Sequence, residues 1–141
     1  MFGSVREIIE SHYCFCKVSP YYGLTSGRRI HAGFDLDIYG VKMSRQPDPP
    51  AEFWLVYTKI KEVVDMVRDK NNHACSIAVI PFGSTVVLDT RNYLQPIAML
   101  RIRITHNRGT QETARAAEHD ALKAVEAQLS ELGITVGQSQ A

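Results

Sequence analysis

Between positions 28 and 43 the chain reads RRIHAGFDLDIYGVKM, and apolar and polar residues alternate through most of it. Ile30, Ala32, Phe34, Leu36 and Ile38 fall in one set; His31, Gly33, Asp35, Asp37 and Tyr39 fall in the other. A period of two predicts a strand with one face buried and one face wet. The phase slips at Tyr39-Gly40, which predicts a bulge at Gly40. A second stretch has the same character: Ala98, Leu100, Ile102 and Ile104 alternate with Met99, Arg101, Arg103 and Thr105. The polar set of the first stretch is acidic and that of the second is basic, so the two strands are electrostatic complements.

Helical periods fill the intervals. Val5, Ile8 and Ile9 make a short apolar stripe after Ser4, with Glu7 at capping-box spacing. Phe53, Val56, Tyr57, Ile60, Val63, Val64 and Val67 predict a helix over 51–70, with Asp48 as a cap and Asn71-Asn72 as its stop. Ala114, Ala117, Ala121, Leu122, Val125, Leu129 and Leu132 predict another over about 110–132, with Gly133 in the position after its C-cap. Shorter apolar runs predict strands over 12–18, 75–81, 85–89 and 96–106. A loop is expected over 19–27, a tight hairpin at 82–84 and a polar tail from 137. The expected order is α-β-β-α-β-β-β-α. Strands with one polar face and helices with one apolar stripe imply an α+β two-layer sandwich, an antiparallel sheet with helices packed on one face.

At 141 residues the chain is expected to form a single domain, 1–141. Its 16 basic and 15 acidic residues give a net charge of +1, so no overall field draws nucleic acid or an anionic membrane. No apolar run approaches the roughly 18 residues of a membrane span, and the acidic start does not read as a signal peptide. Three cysteines, an odd number, argue against a disulfide framework and for a reducing compartment.

Candidate chemistry is sparse. His12, Cys14 and Cys16 share one set of an expected strand, but alternate strand positions lie about 6.6 Å apart, too far for one zinc ion without a turn. Asp35 and Asp37 are expected to meet Arg101 and Arg103 across strands, with no metal between them. The run Gly23-Leu24-Thr25-Ser26-Gly27-Arg28-Arg29 has glycines and two arginines but not the phosphate-loop pattern. No nucleophile elbow occurs. These observations point to a non-enzymatic chain with no cofactor and no metal. Tyrosine and arginine are favoured interface anchors, which makes Tyr21, Tyr22, Arg28, Arg29, Asp35, Asp37, Arg101 and Arg103 the candidate interface residues.

Three resemblances bear on function. From 51 to 132 the element order resembles double-stranded-RNA-binding domains, but Gln111 and Glu112 stand where that family places a lysine pair. With the preceding strand included, the order is also similar to ribosome-hibernation factors, which are more basic. The run Phe34-Asp35-Leu36-Asp37-Ile38-Tyr39-Gly40, the helix over 51–70 and the strand Leu100-Arg101-Ile102-Arg103-Ile104-Thr105-His106 resemble small tail-terminator (tail-completion) proteins of long-tailed phages, over about 1–106. The final helix departs from the smallest members. This resemblance implies a structural subunit that joins copies of itself in a ring, meets other virion or tail proteins, and resides in the virion or the host cytoplasm. The alternative is a nucleic-acid-binding or ribosome-associated module using the open sheet face.

Overall fold

The computed structural model describes residues 4–25, 27–43, 50–71, 74–88, 94–106 and 111–138. The described residues form α1 (Val5–Ser11), β1 (Phe15–Thr25), β2 (Arg28–Lys42), α2 (Ala51–Lys70), β3 (Cys75–Leu88), β4 (Leu94–His106), α3 (Gln111–Glu131) and β5 (Thr135–Gln138). The strands make one sheet in the order β3-β4-β2-β1-β5. All pairs are antiparallel except β1 with β5. The helices lie on one face, so the chain is an α+β sandwich.

The core is the meeting of three apolar stripes. Leu36, Ile38, Leu100, Ile102 and Ile104 come from the sheet, Phe53, Ile60 and Val64 from α2, and Leu122, Val125 and Leu129 from α3; all are buried in one cluster. Phe34 and Tyr57 pack against it half-buried. Leu36, Ile60, Ile102, Ile104, Val64, Val125 and Leu129 have no exposed surface. Each such side chain contributes roughly 1.5–3 kcal/mol by leaving water.

Element ends follow local chemistry. Ser4 Oγ accepts the Glu7 N–H at 3.3 Å and starts α1. Pro50 occupies the N-cap of α2 and gives no side-chain cap; Asp48, the expected cap, lies outside the described residues. Gly133 takes φ 95° after α3, and the Ile134 N–H returns to the Leu129 carbonyl at 3.0 Å. Arg6 donates to the Glu131 carbonyl at 2.9 Å, placing a cation at the negative end of α3.

Four expectations are corrected. The loop over 19–27 is strand: β1 runs unbroken from Phe15 to Thr25. Pro20 pairs in register with Phe34 of β2 and lies past the β1 residues that pair with β5 among those described, and a strand accommodates a proline at such an edge. The hairpin at 82–84 is instead a bulge inside one long β3, where the register with β4 shifts between Pro81 and Gly83. The polar tail is partly β5: buried Ile134 aims the chain along β1, and Thr135–Gln138 pair with Phe15–Val18. The order is therefore α-β-β-α-β-β-α-β. Finally, the strand expected to begin at His12 starts at Phe15. His12 closes α1, and Tyr13 turns the chain at φ 54°.

Candidate functional site

The face of the sheet opposite the helices carries the candidate residues, and the register sets them in rows. One row across β1, β2, β4 and β3 reads Lys17, Asp37, Arg101, Ile80. The next reads Ser19, Asp35, Arg103, Ala78, and the third Tyr21, Gly33, Thr105, Ser76. Alternate residues of a strand share a face, so these three rows are successive on one surface.

The acids and bases on this surface close on one another. Arg101 Nε donates to Asp37 Oδ1 at 2.7 Å and its Nη2 to Asp37 Oδ2 at 3.1 Å. Arg103 Nε donates to Asp35 Oδ1 at 2.8 Å and its Nη2 to Asp35 Oδ2 at 3.1 Å. Arg101 Nε also stands 3.7 Å from Asp35 Oδ2, which links the two forks diagonally. Fork-to-fork geometry fixes direction as well as charge. The bonds to Asp37 and Asp35 hold both guanidinium groups above the ordinary arginine pKa. Asp35 is 7% exposed, so its pairing with Arg103 is what makes its burial tolerable.

Aromatic rings frame the ladder. The Tyr21 ring lies 4.0 Å from Arg103 Cζ, a cation–π contact. Between Tyr21 and Thr105 in that row stands Gly33, with no side chain to obstruct the ring's reach. At the other end Phe15 and Tyr39 stack with centroids 5.1 Å apart, and the Lys17 ammonium sits 5.9 and 5.8 Å from their centres. Burial, reinforced by the charge of Asp37, raises the Tyr39 pKa. Ile97 and Met99, on the same register as Arg101, are buried. This face is therefore partly apolar beyond the charged rows.

The structure unites four of the eight candidates in the ladder: Asp35, Asp37, Arg101 and Arg103. Tyr21 joins them. Tyr22 does not: as the next residue of β1 it turns to the other face, 43% exposed. Opposite the register shift between Tyr21 and Tyr22, Ala32 has no Cα partner on β1, and His31 pairs with Tyr22. The His31 side chain, expected beside the two aspartates, lies outside what is described. Arg28 and Arg29 belong to β2, pairing with Thr25 and Leu24; their side chains lie outside what is described.

Sequence reading missed a second polar constellation. His12 Nε2 is 2.6 Å from Glu52 Oε2, while the Lys42 backbone N–H donates to His12 Nδ1 at 3.1 Å. One imidazole thus ties the end of α1 to the start of α2 and the end of β2. Its partners are 30 and 40 residues away, beyond any local pattern. Of the aromatics in the first turns of α2, Phe53 is buried, but Trp54 is 45% exposed and packs edge-on against Phe53 and Tyr57.

The thiols are inert in character. Burial pushes Cys14 and Cys16 up to about 12, and Cys75 is raised for the same first reason. Such groups carry almost no thiolate near neutral pH. A shallow cavity of about 250 Å³ lies between α2 and α3, lined by Val67, Ala121 and Ala124 with Lys70 and Asp120 at its rim. Among the described residues no helix is long and apolar enough to cross a membrane.

Prolines stand on both outer strand pairs of the sheet. Among the described residues β5 pairs with Phe15–Val18 of β1, and Pro20, which has no N–H to offer, follows. On β3 the corresponding position is Pro81, beside the bulge, and Arg68 donates to the Ile77 carbonyl. Edge prolines, bulges and cations are the common devices against edge-to-edge pairing. The open face is a further broad surface for a partner. No protein family, no curated protein and no solved structure was found to match this chain.

Proposed function

We propose that this chain is a non-enzymatic structural subunit that assembles with copies of itself, in the manner of the tail-terminator proteins it resembles, in a virion or the host cytoplasm. The observation that carries this reading is the ladder on the open face. Its arginine forks are closed on aspartates of the same chain, and Lys17, Arg101 and Arg103 against Asp35 and Asp37 leave that surface near charge balance. A near-balanced, preorganised surface with tyrosine at its border suits a protein partner. It suits a polyphosphate poorly, because phosphate binding draws on unspent cations. Pro20 and Pro81 disfavour strand addition along β1 and β3 and so favour self-association through faces and hairpin ends.

Sedimentation velocity and native mass measurement over a wide concentration range test the reading. Discrete oligomers are the expected result. A chain that remains monomeric throughout and binds RNA with a steep salt dependence would overturn it in favour of the nucleic-acid module.

A further inference from the structure

We propose that the open sheet face is covered by a second copy of this chain, related by a two-fold axis that runs along the strands midway between β2 and β4. The inference rests on the self-assembly reading and names the surface and the symmetry that serve it.

The argument is the self-complementarity of the rows. A two-fold axis lying between the two sheets, parallel to the strands, keeps each row in place and exchanges its left and right ends. Asp37 of one copy then faces Arg101 of the other, and Asp35 faces Arg103, because these residues stand symmetrically about the midline of β2 and β4. Each attraction occurs twice, as an isologous contact requires. The outer strands exchange as well, since β1 and β3 flank β2 and β4. Tyr21 on β1 faces Ser76 on β3, and Ser19 faces Ala78. Ser76 and Ala78 are both exposed and both small, so neither crowds the strand that faces it. Lys17 faces Ile80, along which its aliphatic stem can lie while the ammonium reaches the rim. Opposite charges meet at the centre of both charged rows, and no row sets like charge against like.

Geometry permits the match to hold across the rows. Facing sheets lie about 10 Å apart and cross at about 30°. Moving one row from the centre, about 6.6 Å, such a crossing displaces facing strands sideways by about 3.3 Å, less than the ~4.8 Å between neighbours. The three rows therefore keep their partners. Other axes fail: one at right angles to the strands would set Asp35 against Asp37 and Arg101 against Arg103, like charge on like.

Mixing of charge variants tests the proposal. Asp37→Arg makes the central columns positive on its copy, and Arg101→Asp makes them more negative on its own. Each variant alone is expected to sediment as a monomer, and an equimolar mixture is expected to restore the two-copy species. Ala78→Arg, at an exposed position, keeps all four ladder residues and sets one further cation across from Arg103. It is expected to weaken pairing roughly tenfold or more, with the chain still folded and its melting point lowered only slightly. If Ala78→Arg pairs as tightly as the parent chain, or if the two charge variants, folded, fail to associate on mixing, the face-to-face pairing is wrong. Oligomers of the unaltered chain that survive all three substitutions would sink this pairing and leave self-assembly standing. A parent chain that is monomeric throughout would overturn both.

Discussion

Single atoms decide two positions in the sheet. Gly33 has φ 156°, and a Cβ there would fall 1.8 Å from the Ile104 carbonyl oxygen. Gly40 has φ 132°, and its Cβ would fall 2.7 Å from Cys14 Cα. Both obstacles are backbone, which cannot rotate away. Gly33→Ala is expected to destabilise the fold by about 3–5 kcal/mol, read as a lowered denaturant midpoint; a change below about 1 kcal/mol would show that β2 and β4 part easily there. His12 yields a test of a different kind. Its Nδ1 accepts the Lys42 N–H, so the proton must reside on Nε2, which donates to Glu52. Nitrogen NMR at neutral pH is expected to report the Nε2–H tautomer, and an Nδ1–H ring would contradict the clamp. The thiols of Cys14 and Cys16 set the alkaline limit. Their folded pKa values of about 12 stand above the unfolded value of 9.0, so between those limits the unfolded chain binds fewer protons than the folded one. Their contribution to stability is complete below about pH 9 and is lost as pH rises toward 12. Replacing both with alanine is expected to flatten that part of the stability profile relative to the parent, and an unchanged slope would assign the loss to other groups.

Elements whose stripes are regular could be read from the chain; those defined by long-range pairing could not. Ile102 exemplifies the first kind. Its alternation with Arg101 and Arg103 assigns its face, and it has no exposed surface under α2 and α3. Ile102→Ala is expected to cost about 2–5 kcal/mol by cavity formation, measured by chemical unfolding; an unaltered midpoint would reverse the phase of β4. The pairing of Asp35 and Asp37 with Arg101 and Arg103 was legible for the same reason, since one opposite-charge match forced the strands together. β5 exemplifies the second kind. Thr135–Gln138 is short, polar and contains a glycine, and it becomes a strand only because Ile134 is buried and β1 offers an open edge. Pro20 and Gly83 misled in the same way. Each is a turn signal locally, yet an edge strand absorbs a proline outward and a bulge absorbs an extra residue. The shift opposite Ala32 had no local signature.

At the scale of the molecule the sheet has two ends of different character. β1 and β2 continue past the last β2–β4 partners, Gly33 and Thr105, as a two-stranded hairpin carrying Tyr22. β3 and β4 continue past Lys42 and Ile97 at the opposite end, where Val86 and Leu94 are 53% and 73% exposed. Two unlike hairpins at opposite ends suit a head-to-tail contact, in which one surface meets a different surface of the next copy and closes into a ring if the rotation allows. This contact is separate from the proposed pairing of open faces. Both its direction and the proposed two-fold axis run along the strands, so an assembly that uses both is a double file of face-paired copies, with an even number of chains. Tyr22→Ala and Ala78→Arg then have distinct outcomes. Loss of Tyr22 is expected to weaken the head-to-tail contact by about 2 kcal/mol and leave the two-copy species, whereas Ala78→Arg is expected to remove the pairing and leave single files. Native mass measurement of each variant beside the parent chain reads both. If Tyr22→Ala leaves the particle mass unchanged at every concentration, the β1–β2 hairpin is not an anchor and closure depends on another surface.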